Sequence, residues 1–221
     1  MNTIQHDIND SLRKWIHLGL LLLAIAYPLA LHAGVLNGNL LAPSLILLLL
    51  LMVFGALELL KGRTAGWLIV VSALLCCGWL LIQRPDTVKL LQLPPILING
   101  SLFILFTMTL LPRQTPLITR FAQLMHQNER PLKAIELRYT RRVTLFWSLM
   151  FAFLTIESAL LARYASAETW SLITNFINYL LVVAAMLIEY RIRVRKLPHL
   201  EHPGFVNFVR LVRRMEWRSL L

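Results

Sequence analysis

The chain has 221 residues, of which 57% are hydrophobic and 15% are charged, whereas a soluble domain carries about 25% charged residues. The apolar residues form long stretches such as 41–57, and a membrane-spanning helix needs about 20 of them, so the composition excludes a conventional water-soluble core. The 22 Lys and Arg residues outnumber the 11 Asp and Glu residues. Because no nucleic-acid-binding motif accompanies them, we interpret them as the basic cytoplasmic segments of a membrane protein.

Six apolar segments are long enough to cross a membrane, and we predict an all-α, polytopic membrane protein that forms a single membrane domain over residues 1–221. Residues that favour turns or end helices separate the segments, among them Gly38, Gly62 and Pro112. The predicted transmembrane helices comprise residues 15–33, 40–60, 65–82, 94–111, 143–161 and 170–188.

The distribution of Lys and Arg along the chain predicts the orientation of these helices. With the N-terminus in the cytoplasm, 19 of the 22 basic residues lie in cytoplasmic segments and three lie in outer loops. Cytoplasmic loops of membrane proteins are enriched in Lys and Arg, so both termini, the loop at 112–142 and the basic tail at 189–221 are predicted to be cytoplasmic. We therefore expect a multi-pass protein of the bacterial inner membrane.

Two of the predicted cytoplasmic segments have amphipathic helical patterns. In PLITRFAQLMHQ (116–127), Leu117 and Phe121 lie on an apolar face, and Thr119 and Gln123 lie on the opposite face. Residues 205–215 have a similar apolar stripe opposed by arginines. Basic amphipathic helices beside a membrane commonly lie on its surface. We therefore predict two interfacial helices, with docking on a soluble partner as the alternative.

Polar residues on the fourth, fifth and sixth predicted helices lie at similar depth in the outer half of the membrane: Asn99, Glu157, Asn175 and Asn178. Glu157 lies roughly 7 Å from the outer end of the fifth helix at 1.5 Å per residue. A carboxyl group at that depth is costly, and the functional hypothesis is that it binds a proton or a lipid headgroup. The alternative is that these side chains hydrogen-bond to each other and hold the three helices together.

Motifs of catalytic and cofactor-binding sites are absent from the sequence. It contains no GxSxG nucleophile elbow, no HExxH, no Walker loop and no GxGxxG. We therefore predict no catalytic residues, no cofactor and no metal, and an enzyme is a less favoured class. The pair His199 and His202 in PHLEHP has no third ligand nearby in the sequence, so a hydrogen-bonded turn is favoured over a metal site.

Four segments of the second half occur in a set order: PLITRFAQ (116–123), RYTRRVTLFWSLMF (138–151), ETWSLITNFINYLL (168–181) and IEYRIRVRKLPHLEHP (188–203). Through them the chain resembles, over residues 112–215, an uncharacterised family of bacterial multi-pass inner-membrane proteins. Members of that family are often encoded beside acyl-carrier-protein and ketosynthase genes of aryl-polyene-type lipid clusters, and some carry the label ketosynthase. The resemblance implies a cell-envelope role next to acyl-chain assembly.

Ketosynthase activity itself is not supported by these residues. The condensing enzymes are soluble proteins of about twice this length that use a Cys nucleophile and two His. In this chain the two cysteines, Cys76 and Cys77, lie inside a predicted membrane span.

The chain is also similar to the intracellular septation protein A family of small inner-membrane proteins. The similarity is carried by PLITR (116–120), Trp147 and Trp170, which take the places of an amphipathic segment and a tryptophan-containing hairpin in that family. The predicted chain has one span more than the family. This resemblance implies the hairpin of the fifth and sixth helices rather than a particular function.

We predict an inner-membrane accessory protein of cell-envelope lipid or aryl-polyene-type acyl-chain assembly. Its basic cytoplasmic segments would contact anionic lipid headgroups, or an acidic partner such as an acyl-carrier protein. The alternatives are a transporter or flippase of a lipid-like molecule that uses the polar residues of helices four to six, and a membrane enzyme acting on acyl or isoprenoid substrates. The predicted partner-facing residues lie at the base of helix five and in the PHLEHP turn: Arg138, Tyr139, Arg141, Arg142, His199, Glu201 and His202.

Overall fold

The computed structural model describes residues 19, 22–23, 25–60, 62, 64, 66–72, 75, 87–125 and 131–197. All regular structure in these residues is helical, which confirms the all-α prediction for this part of the chain. The amphipathic segment predicted at 205–215 and the PHLEHP turn with His199, Glu201 and His202 lie outside the described residues.

The first two helices are joined by a short turn that contains glycine. α1 comprises Ile25–Leu36 and α2 comprises Leu41–Leu60, so α2 begins within one residue of the second predicted span. Gly38 in the turn has a φ of 65°, which a residue with a Cβ adopts only at a cost. The Asn39 side chain accepts a 3.1 Å hydrogen bond from the backbone N–H of Leu41 and satisfies one of the free donors at the start of α2.

Close glycine contacts bring α2 against α3, which comprises the helical residues 66–72. A Cβ on Gly66 would lie 2.7 Å from the carbonyl oxygen of Gly55 and 2.6 Å from Cγ of Leu59. A Cβ on Gly55 would lie 2.7 Å from Cγ2 of Val70. Small residues permit such close approach in membranes, where lipid tails are as apolar as the side chains and burial alone does not drive helix association.

Two further helices precede the predicted cytoplasmic loop, and a third lies within it: α4 (Thr87–Leu91), α5 (Leu93–Met108) and α6 (Leu117–Met125). The prolines that follow Leu93 lie in the first turn of α5, where a missing backbone N–H does no harm. α5 ends three residues before the predicted span does, because the N–H groups of Leu110 and Leu111 form turn hydrogen bonds with Thr107 and Met108. α6 confirms that the amphipathic segment is helical over Leu117–Met125.

α7 (Ala134–Tyr164) has 31 residues and begins nine residues before the predicted span at 143–161. A helix of this length extends about 46 Å, which exceeds the roughly 30 Å of the hydrocarbon core. Its first turn is capped by Glu136, whose Oε2 accepts a 2.8 Å hydrogen bond from the backbone N–H of Lys133. Hydropathy identifies only the apolar part of such a helix, because the charged residues at 134–142 end the apolar run without ending the helix.

One continuous helix over Ala167–Lys196 follows α7. Ser166 caps its start by accepting a 3.2 Å hydrogen bond from the backbone N–H of Thr169. The last turn contains three basic residues, which interact favourably with the negative end of the helix dipole and carry the helix past the predicted end at 188. The helix consists of α8 (Ala167–Leu172), a π-helical segment (Ile173–Ile177) and α9 (Asn178–Lys196).

Among the described residues, four helical stretches are long and apolar enough to cross a membrane: Leu41–Leu60, Val88–Met108 (α4 and α5 taken together), Ala134–Tyr164 and Ala167–Lys196. In the 18-residue apolar stretch of each helix, between 11% and 28% of the residues are buried. Most of their apolar side chains therefore face outward, as in helices surrounded by lipid. α1 is a shorter apolar helix. The protein is thus a helical membrane protein, and the count of six spans stays a prediction.

The chain divides into two compact units. The first comprises Met1–Leu93 and Leu160–Ile177, and the second comprises Pro94–Ala159 and Asn178–Leu221. The core of the first unit is apolar and consists of Leu31, Val35, Leu91 and Trp170. By contrast, five of the seven buried residues of α7 are polar, and all of them lie in the second unit: Glu136, Thr140, Thr144, Ser148 and Ser158.

Candidate functional site

A hydrogen-bonded pair joins α7 to α9 at the end that the sequence predicts to be cytoplasmic. The Tyr139 hydroxyl lies 3.0 Å from Oε1 of Glu189 and 3.3 Å from the carbonyl oxygen of the same residue. Oε1 of Glu189 also lies 3.7 Å from Nε of Arg193, one helical turn further along α9. The guanidinium of Arg193 stacks over the Tyr190 ring at 5.5 Å. Glu189 is therefore the centre of a small network that fixes the two helix ends together.

Tyr139 is held in its neutral, hydrogen-donating form in this network. Burial raises its pKa well above the usual range, and the carboxylate of Glu189 raises that pKa further by charge repulsion and by accepting the hydroxyl proton. Tyr139 precedes the apolar part of α7, so this contact lies outside the predicted membrane span. The Tyr139 hydroxyl is consequently protonated at neutral pH and can donate to Glu189.

A basic pocket of about 310 Å³ lies beside this network on the same two helices. Arg138 and Arg142 are four residues apart on α7 and therefore share a face, and Lys196 reaches the pocket from the end of α9. No carboxylate lines the pocket among the described residues. The full lining consists of Ile135, Arg138, Tyr139, Arg142, Lys196 and Leu197.

The third predicted basic residue of α7 is directed elsewhere. Nη2 of Arg141 donates a 3.2 Å hydrogen bond to the carbonyl oxygen of Leu110, just beyond the end of α5. This contact satisfies a carbonyl that the end of a helix leaves free. The structure thus separates the predicted set, with Arg138, Tyr139 and Arg142 at the pocket and Arg141 at the α5 terminus.

A row of hydroxyl side chains on α7, which was not predicted from the sequence, holds α5 and α6 in place. Thr140 and Thr119 of α6 lie 2.7 Å apart, oxygen to oxygen, and Ser148 lies 2.7 Å from Thr107 of α5. Between them, Oγ1 of Thr144 accepts a 3.3 Å hydrogen bond from the N–H of Ile118 at the start of α6. The spacing of Thr140, Thr144 and Ser148 by four residues was the available signal, because it places three hydroxyls on one face of a helix.

Thr119 is buried although it lies on the polar face of α6. The amphipathic pattern placed it opposite the apolar face, and its side chain is 2% exposed and contacts Thr140 of α7. A threonine can be buried when its hydroxyl has a partner, and Thr140 supplies one.

Two members of the predicted intramembrane polar set are in contact. Nδ2 of Asn178 donates a 2.9 Å hydrogen bond to Oε2 of Glu157. The hydroxyl of the fully buried Ser158 lies 3.5 Å from the same oxygen. Asn99 is half-buried on α5, next to Gly100, at which a Cβ would approach Cγ2 of Thr155 on α7 to 3.7 Å.

Asn175 belongs to a different group of contacts, which lies in the first unit. Its Nδ2 donates a 3.1 Å hydrogen bond to Oγ of Ser171, and Nδ1 of His32 lies 3.2 Å from the same oxygen. The His32 ring also meets Phe176 edge to face, with centroids 5.2 Å apart. His32 of α1 thus contacts α8 across 139 positions of sequence.

The comparisons with known proteins are sparse. The chain is 26% identical, over 159 residues, to the inner membrane-spanning protein YciB of Buchnera aphidicola subsp. Acyrthosiphon pisum (strain 5A). The alignment covers 60% of this chain and 86% of the relative. This similarity supports the resemblance to the septation protein A family. No family model and no solved structure matches the chain. Together with its apolar helices, the similarity places the chain in the bacterial inner membrane as a multi-pass protein.

Proposed function

We propose that this inner-membrane protein is an accessory component of cell-envelope lipid or acyl-chain assembly that contacts anionic headgroups through the cytoplasmic ends of α7 and α9. The observation that carries the proposal is the basic pocket around Arg138, Arg142 and Lys196. We also propose six transmembrane helices with both termini in the cytoplasm. This orientation puts the pocket on the cytoplasmic side, where Lys and Arg are enriched in membrane proteins.

The charges around the pocket support an anionic ligand. Glu189 is engaged by Tyr139 and Arg193. Among the described residues, no carboxylate forms an ion pair with Arg138, Arg142 or Lys196. Each unneutralised cation near an anionic membrane surface contributes about 1 kcal/mol to attraction. The pocket therefore concentrates positive charge that the described part of the protein does not balance.

The position of the pocket along α7 also supports contact with headgroups. Arg142 directly precedes Val143, the first residue of the predicted span, and Arg138 lies five residues before it, or about 7 Å at 1.5 Å per residue. The headgroup layer extends roughly 5–8 Å beyond the hydrocarbon core on each side. Arg138 and Arg142 thus bracket the depth at which lipid phosphates lie.

The role next to acyl-chain assembly rests on the resemblance carried by residues 112–215, and a deletion experiment tests it. We expect deletion of the gene to change the profile of envelope lipids or aryl-polyene-type pigments, measured by mass spectrometry of lipid extracts. Expression of the wild-type chain should restore the profile. An unchanged profile in the deletion strain would contradict the role in assembly.

The proposed orientation is tested by reporter fusions. Alkaline phosphatase is active only outside the cytoplasm, so fusions after Arg84 and after Tyr164 should be active. Fusions after Gly62 and after Leu221 should be inactive. The reverse pattern, or activity at both Gly62 and Arg84, would contradict the six-helix topology.

A transporter of a lipid-like molecule is the second candidate, and the contact between Glu157 and Asn178 favours it. A carboxyl group within a membrane span is a candidate proton carrier. Glu157→Gln keeps an acceptor for Asn178 but cannot release a proton. If Glu157 carries protons, this variant should fold normally and fail to complement the deletion strain, whereas Ser101→Ala on the exposed face of α5 should complement fully. Full complementation by Glu157→Gln would leave the carboxyl with a structural role.

A further inference from the structure

We infer that the basic pocket binds a phosphate monoester carried by an amphiphile of the cytoplasmic leaflet. The inference deepens the proposed function and rests on it for the orientation of the pocket. A general attraction to anionic lipid specifies no particular headgroup, whereas this inference specifies the chemistry of the headgroup that the pocket selects.

The number and type of cations in the pocket match the terminal oxygens of a monoester. A phosphate monoester has three such oxygens and carries about −1.5 to −2 charges at pH 7. The pocket offers two guanidinium groups, from Arg138 and Arg142, and the ammonium of Lys196. Guanidinium groups bind phosphate oxygens in pairs, whereas an ammonium acts as a point charge. A phosphodiester carries one negative charge and has two free oxygens, so it would neutralise less of the charge of the three cations than a monoester does.

The network beside the pocket engages the carboxylate of Glu189, which would otherwise compete with an anionic ligand for these cations. Glu189 accepts a hydrogen bond from the Tyr139 hydroxyl. Glu189 in turn lies close to Arg193 and is not part of the lining. The tie between the two helices thus holds Lys196 opposite Arg138 and Arg142 and keeps the carboxylate out of the pocket.

The size and the apolar walls of the pocket restrict what can accompany the phosphate. Its volume of about 310 Å³ is at the lower end of the range for small-molecule sites, roughly 300–1,000 Å³, which favours a small headgroup. Ile135 and Leu197 supply apolar surface beside the cations. A bare phosphate on an acylated glycerol satisfies both requirements, with its acyl chains continuing into the adjacent bilayer.

The experiment measures binding of short-chain lipids to the full-length protein in mild detergent by native mass spectrometry. We expect dioctanoyl phosphatidic acid, a monoester, to bind at least fivefold more tightly than dioctanoyl phosphatidylglycerol, a diester. Arg142→Gln and Lys196→Gln should each reduce binding of the monoester about fivefold, the factor that corresponds to about 1 kcal/mol per cation. Arg191→Gln is the matched control, since it removes the same charge from α9 outside the pocket, and should change binding less than twofold.

Several outcomes would overturn the inference. Equal affinity for the two lipids would mean that the pocket attracts anionic lipid without selectivity. Equal losses of affinity for phosphatidic acid in Arg142→Gln and Arg191→Gln would mean the same. Glycerol 3-phosphate binding as tightly as phosphatidic acid would assign the pocket to a soluble phosphate instead of an amphiphile. Binding of an acidic acyl-carrier protein that depends on Arg142, without binding of phosphatidic acid, would assign it to a protein partner. Melting curves of each variant confirm that the protein is folded in every arm.

This experiment and the deletion experiment fail independently. Selective binding of phosphatidic acid with an unchanged lipid profile would support the pocket and contradict the role in assembly. A changed lipid profile without selective binding would support the role and contradict the pocket.

Discussion

The two units of the molecule use different means to hold helices together. In the first unit, α2 and α3 approach so closely that a Cβ on Gly66 would lie 2.7 Å from the Gly55 carbonyl oxygen. In the second, α7 binds α5 and α6 through paired hydroxyls such as Thr140 and Thr119, 2.7 Å apart. Both are solutions to the same problem, because apolar side chains gain little by leaving lipid for each other. Close approach at small residues and hydrogen bonds between hydroxyls are therefore two separate means by which this protein joins its helices.

The largest effect is expected at the glycine contact. Gly66→Val should destabilise the protein by about 3 kcal/mol, at the upper end of the range for overpacking, because its side chain meets backbone atoms of α2. Denaturation of the purified protein in mixed micelles measures the effect. Gly100→Ala is the control, since its Cβ would make only an ordinary 3.7 Å contact, and should cost less than about 0.5 kcal/mol. Similar losses in both variants would contradict the steric account of α2 and α3.

A smaller effect is expected at the hydroxyl row. Thr140→Val should destabilise the protein by about 1–1.5 kcal/mol, because it leaves the buried Thr119 hydroxyl without this partner. The double variant Thr119→Val with Thr140→Val should recover part of that loss, since both polar groups are then replaced by groups of the same shape. Additive losses in the double variant would show that the two hydroxyls do not act as a pair.

The smallest effect is expected at the tie between α7 and α9. Tyr139→Phe removes the hydroxyl bonded to Glu189 and should cost about 0.5–1 kcal/mol. The folded state raises the pKa of Tyr139. The stability that the protonated hydroxyl contributes is therefore fully present below the unfolded pKa of about 10. It is lost only as pH rises through the higher pKa of the folded state. The difference in the free energy of unfolding between wild type and variant should therefore be constant from pH 7 to pH 9. A difference that shrinks over that range would contradict the assigned protonation state.

Sequence reasoning located most of the candidate pocket but not its geometry. Arg138, Arg141 and Arg142 are adjacent in a basic run, so composition alone singled them out together. The helical period then separates Arg141 from Arg142, because consecutive residues point about 100° apart around a helix with 3.6 residues per turn. Arg142 joins Arg138 at the pocket, while Arg141 turns to Leu110. Lys196 was seen only as part of a basic tail, since nothing in the sequence indicates that α9 extends far enough to bring it opposite α7.

The polar set in the membrane divides in a similar way. The sequence placed Asn99, Glu157, Asn175 and Asn178 at similar depth, which follows from counting residues along helices. Which of them touch depends on helix rotation, which the π-helical segment at Ile173–Ile177 alters between Asn175 and Asn178. The structure pairs Asn178 with Glu157 and Asn175 with Ser171.

The membrane class, the helical class and the amphipathic character of α6 follow from the sequence alone, since hydrophobicity and its period are properties of a single segment. The contacts between helices follow only from the tertiary structure. Tyr139 and Glu189 are 50 positions apart, and Thr107 and Ser148 are 41 positions apart. No local pattern encodes such pairs, because they depend on the rotation, length and register of two helices at once.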